Sequence, residues 1–243
     1  QGNLFVTAGL GGMSGAQPLA VTMAEGIAIV VEVDPERAAR KVNEGYCDKL
    51  TSNLDEAVKW VEEAKKEGNA LSIALVGNTA DVFPELVKRD IIPDVVTDQT
   101  SSHDLLDYMP IGDLSEMRKL RESNPLDFKK RSLEAIVLHT QAIIDMQTRG
   151  AVAFDYGNNL RGQAELGGLK VRDDKGKFLY PGFVPAYIRP LFCEGRGPFR
   201  WAALSGKESD IDKLDDLVLE MFPHDEILTR WIRLAREKVP VLG

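Results

Sequence analysis

The stretch Leu4-Phe5-Val6-Thr7-Ala8-Gly9-Leu10-Gly11-Gly12-Met13-Ser14-Gly15 decides the fold. It reads as a short apolar strand that enters a glycine-crowded turn and then a helix. Gly9, Gly11 and Ser14 keep the G-x-G-x-x-G spacing with serine in the third place, and Gly12 and Gly15 are extra. A second apolar run, Ile27-Ala28-Ile29-Val30-Val31-Glu32-Val33-Asp34, follows about 20 residues later and ends on acids. In that order, glycines let backbone N–H groups approach a pyrophosphate, and the helix N-terminus attracts its charge. An acid at the tip of the second strand accepts hydrogen bonds from an adenosine ribose. Glu32 has that place and would repel a 2′-phosphate, which favours NAD over NADP. Arg37, one turn into the next helix, suits either pairing with Glu32 or stacking on adenine.

Outward from this stretch the chain alternates strands and helices. Asp34-Pro35-Glu36 is a helix start: an N-cap acid, proline at the first helical position and an acid in the first turn. That helix is predicted to reach Glu44. Ser52 or Asn53 caps the next, with Leu54, Ala57, Val58, Val61 and Ala64 at helical spacing and Gly68 as its stop. Leu71 to Val76 is a strand, followed by a helix around Val82 to Lys88. Asp94 to Asp98 is a fourth strand. A loop from Asp104 to Ser123 is expected to hold one helical turn near Ser115 to Arg121. Asn124-Pro125 opens a long helix to Arg149 with Gly150 as its stop. Ala151 to Asp155 is a fifth strand, and a short helix follows it.

Continuous apolar strands alternating with helices predict an α/β fold. The expected form is a Rossmann-like, doubly wound parallel sheet with helices on both faces. The whole chain, 1–243, is taken as a single NAD-binding domain with its core in 1–167. An irregular segment rich in proline, glycine and aromatics follows over 168–206. Two helices close the chain over 207–243, near Glu208 to Met221 and Asp225 to Lys238. Ligands of such sheets bind beyond the carboxyl ends of the strands. The polar clusters lie there: Gly11 to Ser14, Glu32, Asn78-Thr79, Gln99 to His103, and Asp155 to Asn159.

The chain of 243 residues is 44% hydrophobic and 28% charged, ordinary for a globular protein. Its formal net charge of −8 argues against nucleic acid or an anionic membrane as the main partner. No apolar run is long enough to span a membrane. The two cysteines, Cys47 and Cys193, form no C-x-x-C pair, so no metal motif is visible, and their usage suits a reducing cytoplasm. Each reads first as an inert core thiol, Cys193 half-buried between Phe192 and Glu194. His103 reads as either an acid–base group or a solvated loop histidine. Asn158 reads as a ligand or a helix cap. Tyr156 suits packing on a nicotinamide or in the core. Arg189, Arg196 and Arg200 together suit an anion site.

Four motifs in order carry a resemblance. They are Thr7-Ala8-Gly9-Leu10-Gly11-Gly12-Met13-Ser14-Gly15-Ala16-Gln17-Pro18, Asp98-Gln99-Thr100-Ser101-Ser102-His103, Phe154-Asp155-Tyr156-Gly157-Asn158-Asn159 and Gly197-Pro198-Phe199-Arg200-Trp201. In these the chain resembles the NAD-binding domain of urocanase, over essentially its whole length. The resemblance implies a cytoplasmic hydro-lyase of histidine degradation that adds water to urocanate and gives imidazolonepropionate. It implies NAD+ as the cofactor, acting as an electrophile in a transient adduct with the substrate, and a homodimer. It implies NAD+ contacts at Gly12, Met13, Ser14, Glu32, Arg37, Asn78, Thr79, Gln99, Thr100, Ser101, Ser102, His103, Tyr108, Met109 and Tyr156. Ser14 stands where many members have glycine. Both ends of the chain read as cut from something longer. The family's active-site cysteine is expected beyond Gly243, so no catalytic residue is assigned and the chain by itself is expected to lack turnover. The rival readings are an NAD-dependent dehydrogenase domain and a non-catalytic NAD-binding module.

Overall fold

The computed structural model describes residues 2–196 and 201–239. Gly197, Pro198, Phe199 and Arg200, which include one candidate anion ligand and most of the fourth motif, lie outside the described residues. The chain divides into two compact units, Gln1–Ala186 and Tyr187–Gly243.

The first unit opens as the glycine stretch predicts, with β1 (Leu4–Ala8), α1 (Gln17–Met23), β2 (Ile27–Glu32) and α2 (Pro35–Asn43). Asp34 caps α2 by accepting from the N–H groups of Glu36 and Arg37. An unexpected three-residue strand, β3 (Lys49–Thr51), precedes α3 (Leu54–Glu67), which Asn53 caps and left-handed Gly68 ends. β4 (Leu71–Val76) leads to α4 (Thr79–Lys88), which starts a turn earlier than predicted because Asn78 accepts from the N–H of Ala80. The Asp94–Asp98 and Ala151–Asp155 runs contribute only β5 (Val95–Val96) and β6 (Val152–Ala153) to the sheet. Between them stand α5 (Leu114–Ser123) and α6 (Pro125–Thr148). The single turn expected near Ser115 is thus a ten-residue helix. Asp113 caps it by accepting from the N–H of Glu116. After β6 comes α7 (Leu160–Leu166), and then a small hairpin closed by an antiparallel bridge between Arg172 and Phe178.

The six strands form one parallel sheet in the order β3-β4-β2-β1-β5-β6. The chain leaves β1 toward β2 and β4 on one side, then returns to place β5 on the other. That reversal is the switch point of a doubly wound sheet. β2 shows why both faces are covered. Ile27, Ile29 and Val31 join one apolar cluster with Phe83, Ile136 and Ile143, whereas Ala28 and Val30 join another with Leu10, Ala38 and Cys47. Alternate residues of a strand face opposite sides. All six positions of β2 are buried, so its run has no polar phase.

The second unit holds α8 (Arg189–Cys193), α9 (Glu208–Met221) and α10 (Glu226–Lys238). The proline- and glycine-rich segment is therefore partly helical. None of the α8 residues is buried, and Cys193 is exposed rather than half-buried, because five residues cannot wrap an apolar face around it. Within this unit Asp215 joins the two longer helices: it accepts from the indole N–H of Trp201 at 3.0 Å and from Arg236 at 3.3 Å. No described helix is long and apolar enough to cross a membrane.

Candidate cofactor-binding site

The glycine turn is held by side chains on both of its flanks. The N–H of Leu10 donates to Glu32 Oε2 at 2.7 Å, and the N–H of Gly11 donates to Ser14 Oγ at 2.7 Å. Ser14 is buried, so the serine in place of a glycine is part of the turn's own bracing. Gly9 has φ +91°, and a Cβ there would stand 2.8 Å from the carbonyl oxygen of Gln99. The ends of β1 and β5 thus approach more closely than any side chain permits. A Cβ on Gly15 would meet Gly11 O and Lys41 Cε, both at 2.7 Å. Gly15, one place after the expected third small residue, is therefore the glycine of close packing. Gly12 faces open space, and no acceptor among the described residues meets its N–H or that of Met13.

Beyond these strand ends lies a crevice of about 240 Å³. Ten of the fifteen expected cofactor contacts line it: Ser14, Glu32, Arg37, Asn78, Thr79, Gln99, Thr100, Ser101, Tyr108 and Met109. Gly12 and Met13 sit on the turn above, with Met13 almost fully exposed. Ser102 is fully buried behind the wall and donates to the carbonyl of Asn158 at 2.7 Å. His103 is exposed and outside the crevice, while its carbonyl accepts from Gln163. Tyr156 lies in a neighbouring aromatic group, 5.5 Å from the ring of Phe154 and 4.7 Å from that of Phe183. Burial pushes its phenol pKa up. The volume is below the roughly 300–1,000 Å³ of pockets that enclose a whole ligand. The crevice therefore suits the adenosine and phosphate part of a dinucleotide.

Glu32 is 2% exposed and already employed. Its Oε1 accepts from the N–H of Asp34 at 3.0 Å and from Arg37 at 3.3 Å, and Oε2 accepts from Leu10. Of the two Arg37 roles, pairing with Glu32 is the one realised. Each carboxylate oxygen has room for two bonds, so one acceptor site on Oε2 is left for a ribose hydroxyl.

The loop after β5 forms one wall and is laced from behind to the loop after β6. Asn158 donates to Asp98 Oδ2 and to the carbonyl of Thr100. Asp98 also accepts from the N–H and the hydroxyl of Thr100, both at 3.0 Å. Asp98 is buried, and desolvation lifts its carboxyl pKa to about 7. His139 of α6 lies wholly buried, with Nε2 3.8 Å from Asp98 Oδ1 and Nδ1 3.0 Å from the Tyr108 hydroxyl. Burial pulls its pKa down to about 3, so the imidazole is neutral. Ser132 donates to the carbonyl of Tyr108, and Asn78 donates to the carbonyls of Met109 and Pro110. The loop bearing Tyr108 and Met109 is therefore fixed at three points.

Two observations bear on whether a dinucleotide fits. The side-chain oxygen of Gln99 is buried without a hydrogen-bond partner at the crevice wall. The free N–H groups of Gly12 and Met13 stand beside open space. The first is a buried acceptor left without a partner, and the second are exposed donors on a glycine turn of the kind that binds phosphate. Among the described residues no cluster could hold a metal ion. Sequence reasoning missed Asp34, Leu114, Arg118 and Arg121 in the lining. A signal for the last three existed in Asp113 followed three residues later by Glu116, an N-cap pattern that marks a real helix.

A solved short-chain type dehydrogenase/reductase from Mycobacterium ulcerans is 13% identical with a TM-score of 0.31, over 64% of this chain and 50% of its own. A likeness that low carries no argument, and this chain spans about half of that protein's length. The family models are decisive. Residues 1–187 match the Urocanase Rossmann-like domain and residues 190–243 the Urocanase C-terminal domain. With both matches in order along the sequence, the chain belongs to the urocanase family.

Proposed function

We propose that the Rossmann-like unit binds NAD+ and that the chain is the cofactor-carrying part of a urocanate hydratase. The observation that carries this reading is the convergence of ten expected contacts on one crevice at the switch point of the sheet. Family membership supplies the reaction, addition of water to urocanate to give imidazolonepropionate. Urocanate as substrate, a homodimeric assembly and a cytoplasmic setting belong to the same reading.

When bound, NAD+ supplies an electrophilic pyridinium that draws electrons from the substrate's imidazole. The chain's own residues bind and orient. Gly12, Met13 and Ser14 present the phosphate turn, with Ser14 Oγ keeping Gly11 in place. Glu32 offers its remaining acceptor site to the adenosine ribose, and Arg37 pairs with the carboxylate and keeps it aligned. Gln99, Thr100 and Ser101 form the wall at the end of β5. Asn78 and Thr79 close the side formed by the end of β4. Tyr156, Ser102 and His103 act from outside the crevice, Ser102 by holding the loop after β6.

Two measurements test this. The denatured supernatant of the purified chain is analysed by mass spectrometry for NAD+, and the chain is titrated with NAD+. Co-purified or saturably bound NAD+ is the expected result, and absence of both overturns the reading. Incubation with urocanate and NAD+, followed at the absorbance of NADH, tests the rival reading of hydride transfer. Accumulation of free NADH would identify a dehydrogenase instead.

A further inference from the structure

The crevice is lined by three arginines and three acids. Arg37 from α2 and Arg118 and Arg121 from α5 all line it. Arg37 and Arg118, left unpaired at the end of β2, would suit a 2′-phosphate, since arginine pairs with phosphate in a bidentate fork. The lining acids are Glu32, Asp34 and Asp107, so the charges balance. Glu32 takes Arg37. Asp34 takes Arg118, whose Nη2 donates to Asp34 Oδ2 at 2.8 Å across 84 residues of sequence. The other Asp34 oxygen accepts from the N–H groups of Glu36 and Arg37 at the start of α2. Those donors would also attract an anion. One carboxylate thus removes both an arginine and a helix terminus from any phosphate at the ribose.

We propose that Asp34 is a specificity determinant which, together with Glu32, makes this crevice reject dinucleotides bearing a 2′-phosphate. The inference rests on the NAD+ reading above and extends it to a residue outside the expected contacts. Asp34 acts by occupying Arg118 and by placing its own charge beside the ribose.

The test is equilibrium titration of the purified chain with NAD+ and with NADP+. Asp34→Asn keeps a good helix cap while removing the charge, and Asp34→Ser serves as a second capping variant. Circular dichroism checks that each variant folds. The variants are expected to raise affinity for NADP+ relative to NAD+ by about tenfold, as one released arginine–phosphate pair warrants. Adding Arg118→Ala is expected to abolish the gain. If wild type binds NAD+ and the ratio is unchanged in both variants, the role of Asp34 is refuted and the NAD+ reading stands. If wild type binds neither dinucleotide, both fall.

Discussion

Replacing Asp98 by asparagine should change how the stability of the Rossmann-like unit depends on pH. Asp98 is buried, and desolvation raises its carboxyl pKa from 3.8 to about 7. Below pH 4 the folded and unfolded chains both hold the proton, so the contribution of Asp98 is fully present. Between pH 4 and 7 the folded chain keeps a proton that the unfolded chain has released, and stability falls as pH rises. Above 7 the loss is complete. A rise from 3.8 to about 7, at 1.36 kcal/mol per pH unit, amounts to about 4 kcal/mol. An asparagine side chain does not titrate and resembles the protonated acid, so the Asp98→Asn variant escapes this loss. His139, whose pKa falls to about 3, has the opposite trend: its contribution is present above 6.5 and fades as pH falls. It is common to both proteins and cancels in the comparison. The assay is urea unfolding at several pH values between 4 and 8, read from Trp60 in a Trp201→Phe, Trp231→Phe background so that only the first unit reports. The stability of the variant minus that of wild type should climb with pH by about 4 kcal/mol. A difference that stays flat refutes the assignment of a protonated Asp98.

Gly9→Ala combines φ +91° with a Cβ 2.8 Å from the backbone of Gln99, and should cost about 2 kcal/mol or more of stability in a urea titration. An unchanged midpoint would mean that the β1 and β5 ends are not in contact. Glu32→Ala strips an acceptor from the N–H groups of Leu10 and Asp34 and should destabilise the unit by about 2–3 kcal/mol while weakening NAD+ binding. Loss of affinity at full stability would show that Glu32 serves the ribose without bracing the turn. Alkylation of the native protein should modify exposed Cys193 and spare Cys47, which is buried with its thiol pKa raised to about 11. Peptide mapping with equal labelling of both would contradict the burial of Cys47.

Caps made most of the fold legible in the sequence. Asp34-Pro35, Asn53 with Gly68, and Asn124-Pro125 act on their own neighbours, so local reading finds them. β3 escaped because three residues at a sheet edge carry no period, and Lys49–Thr51 is set by Asp48 accepting from the N–H and hydroxyl of Ser72 on the adjoining strand. The crevice was legible because a parallel sheet gathers its strand ends on one side. Arg118 and Arg121 were not, since their place depends on a helix clasped to Asp34 from far along the chain. Nor could the sequence tell that Ser102, in a run of polar neighbours, turns inward to Asn158 while Gln99 lines the crevice.

The lacing of the loops after β5 and β6 bears on how a ligand is received. Asp98, Thr100, Asn158, Ser102 and Gln163 fix one another through bonds made entirely within the protein. The conformational entropy of these loops is therefore lost during folding, before any cofactor arrives. Binding to such a preorganised wall has little loop ordering to oppose it. Cutting one lace, by Asn158→Ala for example, moves that ordering cost from the folding step to the binding step.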